Sequence, residues 1–138
     1  MISTPLAQRL REAGLRWTPV SGDAFQVAGP EFEGDVFTVS DMTIEAHTYP
    51  TGTILGFNGT TEWALDSVAL DDAVWLPRED QLRDMLAGAF ERLERADAAG
   101  GVEYRVTVTV GDDTATFVSD DPAESYGMAL LGVLQSLR

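Results

Sequence analysis

The 138-residue sequence contains no cysteine and only one histidine. Without cysteine there is no disulfide framework, no thiolate nucleophile and no cysteine-ligated zinc, and a reducing cytoplasm is the expected compartment. The sequence also lacks any long apolar run, so we expect no membrane-spanning segment. Its first residues show no charged stretch followed by an apolar stretch, so no secretory signal is predicted.

Positive charge is equally scarce. The chain has no lysine, and nine Arg residues stand against 23 acidic residues, for a net charge of −14. Such a chain repels phosphate backbones and anionic lipids, so we expect no nucleic-acid and no membrane partner. Residues 31–77, here called the acid-only segment, hold nine acids and no Lys or Arg. This segment either keeps the protein soluble or forms a surface for a basic partner.

Length and patterning predict a single α+β domain over residues 1–138. In this prediction an antiparallel β-meander sheet carries three helices. The N-terminal helix begins after Ser3, a hydroxyl cap. The middle helix, near 77–87, begins at a proline, and the C-terminal helix, near 122–137, begins after Asp121 with a capping-box-like pattern.

Between residues 15 and 68 the apolar residues alternate with a period of two, which predicts short antiparallel strands. The strongest local signal is Asn58-Gly59 between two β-branched or aromatic segments, 53–57 and 60–65. Asn-Gly supplies both positive-φ residues of a type I′ turn, so we predict a hairpin there.

Residues 89–96 are consistent with two structures. Their apolar spacing continues the helical pattern of the preceding residues, which favours one long helix. Alternatively, the helix ends at Ala87 with Gly88 in the C′ position, and residues 89–96 form a strand paired with 103–110. We favour the strand, because the long strand 103–110 needs neighbours besides the returning strand 114–118.

Four segments carry a resemblance to a known family: residues 36–47, 56–68, 75–82 and 124–131. They are similar to a family of short, acidic actinobacterial proteins of unknown function, some of which carry a pilus-assembly label. The resemblance spans most of the chain and implies a bacterial source rather than an activity. A pilus-assembly ATPase of the partitioning-protein type needs a phosphate-binding loop with a lysine, which this sequence does not contain.

A single histidine limits nucleophilic catalysis. Any Ser-His-Asp arrangement must use His47, with Ser40 and Asp41 nearby in sequence, but no Gly-x-Ser-x-Gly elbow is present. His47 is in phase with Glu45 on the solvent side of Ile44 and Ala46, so we interpret it as a surface or hairpin-end histidine. Paired carboxylates could serve acid–base hydrolysis, although with 23 acids some pair is close in any fold. An enzymatic role therefore stays open and is the less favoured one.

Glu31, Glu33 and Asp35 alternate along an extended segment, and three carboxylates on one face suit Ca²⁺ or Mg²⁺. The EF-hand loop pattern is absent, and one histidine without cysteine does not suit a transition metal. We expect no bound metal and no cofactor.

The residues most typical of an interface are two tryptophans and one arginine. Trp63, beside Glu62, follows the predicted hairpin turn, and Trp75 and Arg78 stand just before and at the start of the middle helix. A positive charge at a helix N-terminus opposes the macrodipole, so Arg78 needs an acidic neighbour in the acid-rich strands or a partner. Since Trp and Arg are frequent hot-spot residues, we predict Glu62, Trp63, Trp75 and Arg78 as binding residues.

These observations favour a non-enzymatic cytoplasmic interaction protein with an acidic, partner-facing surface. The alternative is a small-molecule-binding or hydrolytic domain that uses an acidic cleft. The expected partner is a protein, with a basic one favoured by charge, and a homodimer remains open.

Overall fold

The computed structural model describes residues 1–27, 34–39, 44–49, 52–57 and 67–136. In this part of the chain the elements are, in order, α1 (Thr4–Glu12), β1 (Ala24–Val27), β2 (Phe37–Thr38), β3 (Ile44–Tyr49), β4 (Gly52–Phe57), β5 (Ser67–Ala69), β6 (Ala73–Leu76), α2 (Glu79–Leu86), β7 (Phe90–Ala98), β8 (Gly101–Val110), β9 (Asp113–Ser119) and α3 (Pro122–Ser136). All the described pairings are antiparallel. The predicted α+β class is confirmed, with helices at the N-terminus, in the middle and at the C-terminus.

The strands do not form one continuous meander. Within the described residues they form three three-stranded sheets, in the orders β2-β1-β6, β3-β4-β5 and β7-β8-β9. The chain divides into two compact units: unit 1 comprises Met1–Arg16 and Pro77–Arg138, and unit 2 comprises Trp17–Leu76.

Unit 1 is built around the sheet β7-β8-β9. Helix α3 packs on β8 and β9, and α1 and α2 pack on α3. Two glycines let α3 approach its neighbours closely. A Cβ added at Gly127 would lie 2.7 Å from Cδ2 of Leu6, and one added at Gly132 would lie 2.7 Å from Cζ of Phe117. The unit has a shared apolar core, which includes Leu6, Leu10, Leu82, Leu86, Val106, Val108, Tyr126, Ala129 and Leu130.

Helices α1 and α3 of unit 1 each begin with a side-chain cap. Ser3 Oγ accepts a 3.3 Å hydrogen bond from Leu6 N, and Asp121 Oδ1 accepts a 2.9 Å hydrogen bond from Ala123 N. The two helix starts are also joined, since Ser3 N donates to Glu124 Oε1 at 2.9 Å. These bonds satisfy N–H groups that a helix leaves unpaired at its first turn.

Residues 90–98 form a strand, as the favoured alternative predicted. The turn that precedes this strand differs in one detail. The helix ends at Leu86, and the residue with positive φ is Ala87, at φ 50° and ψ −124°, rather than Gly88.

In unit 2, β1 lies between β2 and β6, with Phe25 opposite Phe37 on one side and Trp75 on the other. In the second sheet β4 lies between β3 and β5, with Ile54 opposite Ala69. The predicted Asn58-Gly59 turn and the strand 60–65 lie outside the described residues.

No helix in the described ranges is long and apolar enough to cross a membrane.

Candidate interaction site

Two of the four predicted binding residues, Trp75 and Arg78, lie within the described residues. Glu62 and Trp63 lie outside the described residues. Trp75 belongs to β6 in unit 2, whereas Arg78 precedes α2 in unit 1. Each of the two is therefore considered in its own unit.

Trp75 is part of an aromatic cluster on one face of the sheet β2-β1-β6. Phe25, at the centre, is fully buried, and its ring centroid lies 5.6 Å from that of Phe37. The indole of Trp17 stacks on Trp75 with centroids 6.3 Å apart and an interplanar angle of 9°. The Trp17 centroid also lies 5.4 Å from that of Phe25. Trp75 is half-buried, and its Nε1 is buried with no hydrogen-bond acceptor among the described residues.

Asp23 holds this cluster in place, although the sequence pattern indicated only a turn at Ser21-Gly22-Asp23. Asp23 is 1% exposed, and its Oδ2 accepts hydrogen bonds from Trp17 Nε1 at 2.9 Å and from Val20 N at 3.1 Å. Its backbone oxygen also accepts from Val39 N at 2.8 Å. The sequence feature that could have indicated this role of Asp23 is Trp17, because an indole N–H packed in a core needs an acceptor.

Arg78 is exposed at the start of α2. One acidic neighbour is Asp80 of the first helical turn, which does not belong to the acid-rich strands in which a neighbour was predicted; Arg78 Nε donates to Asp80 Oδ1 at 3.2 Å. This hydrogen bond lowers the pKa of the Asp80 carboxyl below its ordinary value. The backbone N–H of Arg78 donates to Gln81 Oε1 at 2.9 Å, as in a capping box. The acid at Asp80 also compensates the unfavourable placement of a cation at a helix N-terminus.

Most of the candidate catalytic and metal-binding side chains lie outside the part of the chain that the structure describes. Ser40, Asp41, Glu31 and Glu33 lie outside the described residues, and only the backbone placement of His47, on β3, is described. Over the described ranges no group of three or more His, Cys, Asp or Glu side chains could hold a metal ion.

The longest exposed edge of the described sheets is β7 in unit 1. Seven of its nine residues are exposed. On its inner side β7 pairs with β8 from Phe90 to Ala98, and no described strand pairs with its outer side. Since β9 pairs with β8 only as far as Tyr104, residues 101–103 of β8 and their β7 partners continue as a two-stranded ribbon in the described structure.

The face of β7 that points away from the core is charged in an ordered way. Arg92 Nε donates to Glu94 Oε1 at 2.8 Å, and on β8 Arg105 Nε donates to Glu103 Oε2 at 2.9 Å. Glu94 also stands opposite Arg105 in the register. On the other face Leu93 lies opposite Val106 and is 37% exposed. The edge therefore combines backbone groups with which no described strand pairs, charges of both signs and an exposed apolar side chain.

Comparisons with protein-family models, with curated proteins and with solved structures find no match for this chain.

Proposed function

We propose that this chain is a non-enzymatic protein-interaction module that docks a protein partner on the outer edge of β7. The observation that carries the proposal is the nine-residue β7, exposed at the edge of its sheet. An exposed edge strand presents a row of N–H and C=O groups to which another chain can add a strand.

Edge length supports this choice of element. Sheets are protected from unwanted pairing when their edge strands are very short. In unit 2 the described edge strands β2, β5, β6 and β3 have two, three, four and six residues. In unit 1, β7 is longer than the opposite edge β9, which has seven residues.

Charge and composition bear on further parts of the proposal. Asp35, Asp71 and Asp72 of the acid-only segment are exposed in unit 2, whereas the β7 edge in unit 1 carries Arg as well as Glu, so docking at β7 does not require a basic partner. A cytoplasmic location agrees with the absence of cysteine. The resemblance noted above supports an actinobacterial source.

Site-specific photo-crosslinking in cells tests the proposal. A photoreactive residue replaces Leu93, and in a control it replaces Gln8, which is exposed on α1. We expect protein adducts from position 93 and none above background from position 8. A folded protein that gives no adduct at position 93, or the same adducts at both positions, contradicts docking at this edge.

A further inference from the structure

We propose that the partner docked on β7 is a second copy of this chain. The two β7 strands pair antiparallel about a two-fold axis at Leu93, and the two three-stranded sheets become one sheet of six strands. This inference rests on the proposed function, because it identifies the occupant of the same edge.

Symmetry restricts how two identical edges can pair. A two-fold axis between antiparallel neighbours stands perpendicular to the sheet, and opposed residues must point to the same face. Side chains alternate between the two faces along a strand. Both conditions therefore hold only when the axis passes between one residue and the same residue of the second copy. Each register is therefore named by its central residue.

With Leu93 at the centre, all the charged positions nearest the axis meet an opposite charge. Arg92 stands opposite Glu94 of the second copy, and Glu94 opposite Arg92 of the second copy. One step further out, Arg95 lies opposite Glu91 of the second copy, the bulge residue at which the regular register ends. Opposite charges that face each other across antiparallel strands stabilise the pairing.

The other centres from Glu91 to Asp97 lack this complementarity. An axis at Glu91, Arg92, Glu94, Arg95 or Asp97 places that charge against its own copy, which is destabilising. An axis at Ala96 pairs Arg95 with Asp97 and leaves Arg92 without an acidic partner. The charge pattern therefore favours one register over its neighbours, as edge-strand charges do when they select a partner.

The local structure fits the Leu93 register. Arg92 and Glu94 already form an ion pair along their strand, at 2.8 Å, on the face opposite to Leu93. In the paired edges each of these charges gains a second neighbour of opposite sign. Arg92 and Glu94 of the two copies then form a square of four side chains in which the signs of the charges alternate. On the core face, the exposed Leu93 packs on Leu93 of the second copy and loses contact with water. The β-bulge at Glu91 marks the end of the regular part of the strand, so the pairing centres on Arg92–Glu94.

Sedimentation equilibrium over a wide concentration range tests the inference on the full chain. We expect the wild type to dimerise. Arg92→Glu and Glu94→Arg should each raise the dissociation constant by about tenfold or more, equivalent to about 1.4 kcal/mol, because each turns two attractive pairs into repulsive ones. Glu94→Arg makes the chain less negative, so net-charge repulsion alone predicts the opposite result for it.

Mixing the two variants is the most discriminating part of this experiment. Positions 92 and 94 are both acidic in the Arg92→Glu chain and both basic in the Glu94→Arg chain. Every facing pair in the mixed dimer is then attractive, so we expect a heterodimer tighter than either variant alone. The double swap Arg92→Glu/Glu94→Arg should also restore self-association. Arg83→Glu on α2, an exposed position of the same charge change, is the control and should leave the dimer intact.

The outcomes separate this inference from the proposed function. A wild-type chain that stays monomeric, or a dimer indifferent to both single reversals, overturns the second-copy assignment. So does a mixture that fails to form heterodimers. If position 93 then crosslinks to a different protein in cells, docking at β7 stands with another occupant. If it crosslinks to nothing, the proposed function falls as well.

Discussion

Asp23 should be among the residues whose loss destabilises unit 2 most. Its carboxylate is buried, yet it replaces its lost hydration with two hydrogen bonds, from the Trp17 indole and from the backbone N–H of Val20. Asp23→Ala removes the acceptor of both of these part-buried hydrogen bonds. It also releases Trp17 from the position in which it stacks on Trp75.

The expected magnitude comes from these two bonds. A hydrogen bond to a charged group contributes about 1.5–3 kcal/mol, and a donor left without an acceptor carries a desolvation cost to the extent that it is buried. Part of this loss is offset, because the variant no longer buries a carboxylate. We therefore expect a net loss of about 2–4 kcal/mol, a large share of the roughly 5–15 kcal/mol by which domains are stable.

Urea unfolding followed by tryptophan fluorescence measures this loss selectively. All three tryptophans of the chain lie within Trp17–Leu76, so the signal reports on unit 2. With a slope of about 1–3 kcal/mol per molar urea, the midpoint should fall by on the order of 1–2 M.

Two control variants separate the hydrogen bonds from charge alone. Asp35→Ala removes the same charge from an exposed position of unit 2 and should leave the midpoint nearly unchanged. Asp23→Asn keeps one oxygen acceptor of the same shape and should lose less than Asp23→Ala. Equal midpoints for Asp23→Ala and Asp35→Ala would refute the role given to Asp23.

Two further predictions concern unit 1. Ala87→Gly should stabilise unit 1 by about 1 kcal/mol. Relief of a positive-φ strain of about 1–3 kcal/mol exceeds the entropic cost of the extra flexibility that glycine has in the unfolded chain. Amide exchange of α2 and β8 measures this change, and faster exchange in the variant contradicts it. Gly132→Ala should cost about 1–2 kcal/mol, because its new Cβ would lie 2.7 Å from the rigid Phe117 ring and overpacking outweighs the gain in helix propensity of about 1 kcal/mol. Thermal unfolding measures this change, and a Gly132→Ala variant more stable than the wild type would show that Phe117 moves aside freely.

The helices were predictable because their signals are local. Ser3 and Asp121 cap helices through residues two or three positions away, so the sequence contains both members of each interaction. The proline at position 77, predicted to begin the middle helix, instead precedes the N-cap Arg78, so it located the start of α2 to within two residues. Such short-range chemistry survives in almost any tertiary setting.

The sheet partners were not predictable in the same way. Strand β1 pairs with β6, and these strands are separated by more than forty residues, so the alternating pattern of either says only that it has a partner. The division into three sheets follows from such long-range choices. Asp23 illustrates the same limit. The Ser-Gly-Asp pattern predicts a turn, and only the folded structure shows that the Asp23 carboxylate accepts a hydrogen bond from the Trp17 indole.

At Ala87 a local rule predicted the wrong position for the turn residue. Glycine is preferred wherever φ is positive, and Gly88 is available one residue later. The chain nevertheless places the positive φ at Ala87, between the end of α2 and the start of β7. The positions of α2 and β7 on either side of the turn decide which residue has the unusual conformation, and the cost at Ala87 is the reason for the predicted gain from glycine.

The charges of β7 show how secondary structure changes what a sequence pattern means. In a helix, the other structure that these residues favour, Glu91 and Arg95 would form an ordinary i, i+4 pair on a solvated face, and no partner would be implied. In a strand the two charges that share a face are Arg92 and Glu94. When the order Glu-Arg-Leu-Glu-Arg is reversed about Leu93, each charged position falls opposite a residue of the other sign. This complementarity has a physical effect only at a free edge where an antiparallel copy can add. The inference of a second copy therefore depends on two structural facts, that β7 is a strand and that no described strand covers its outer side.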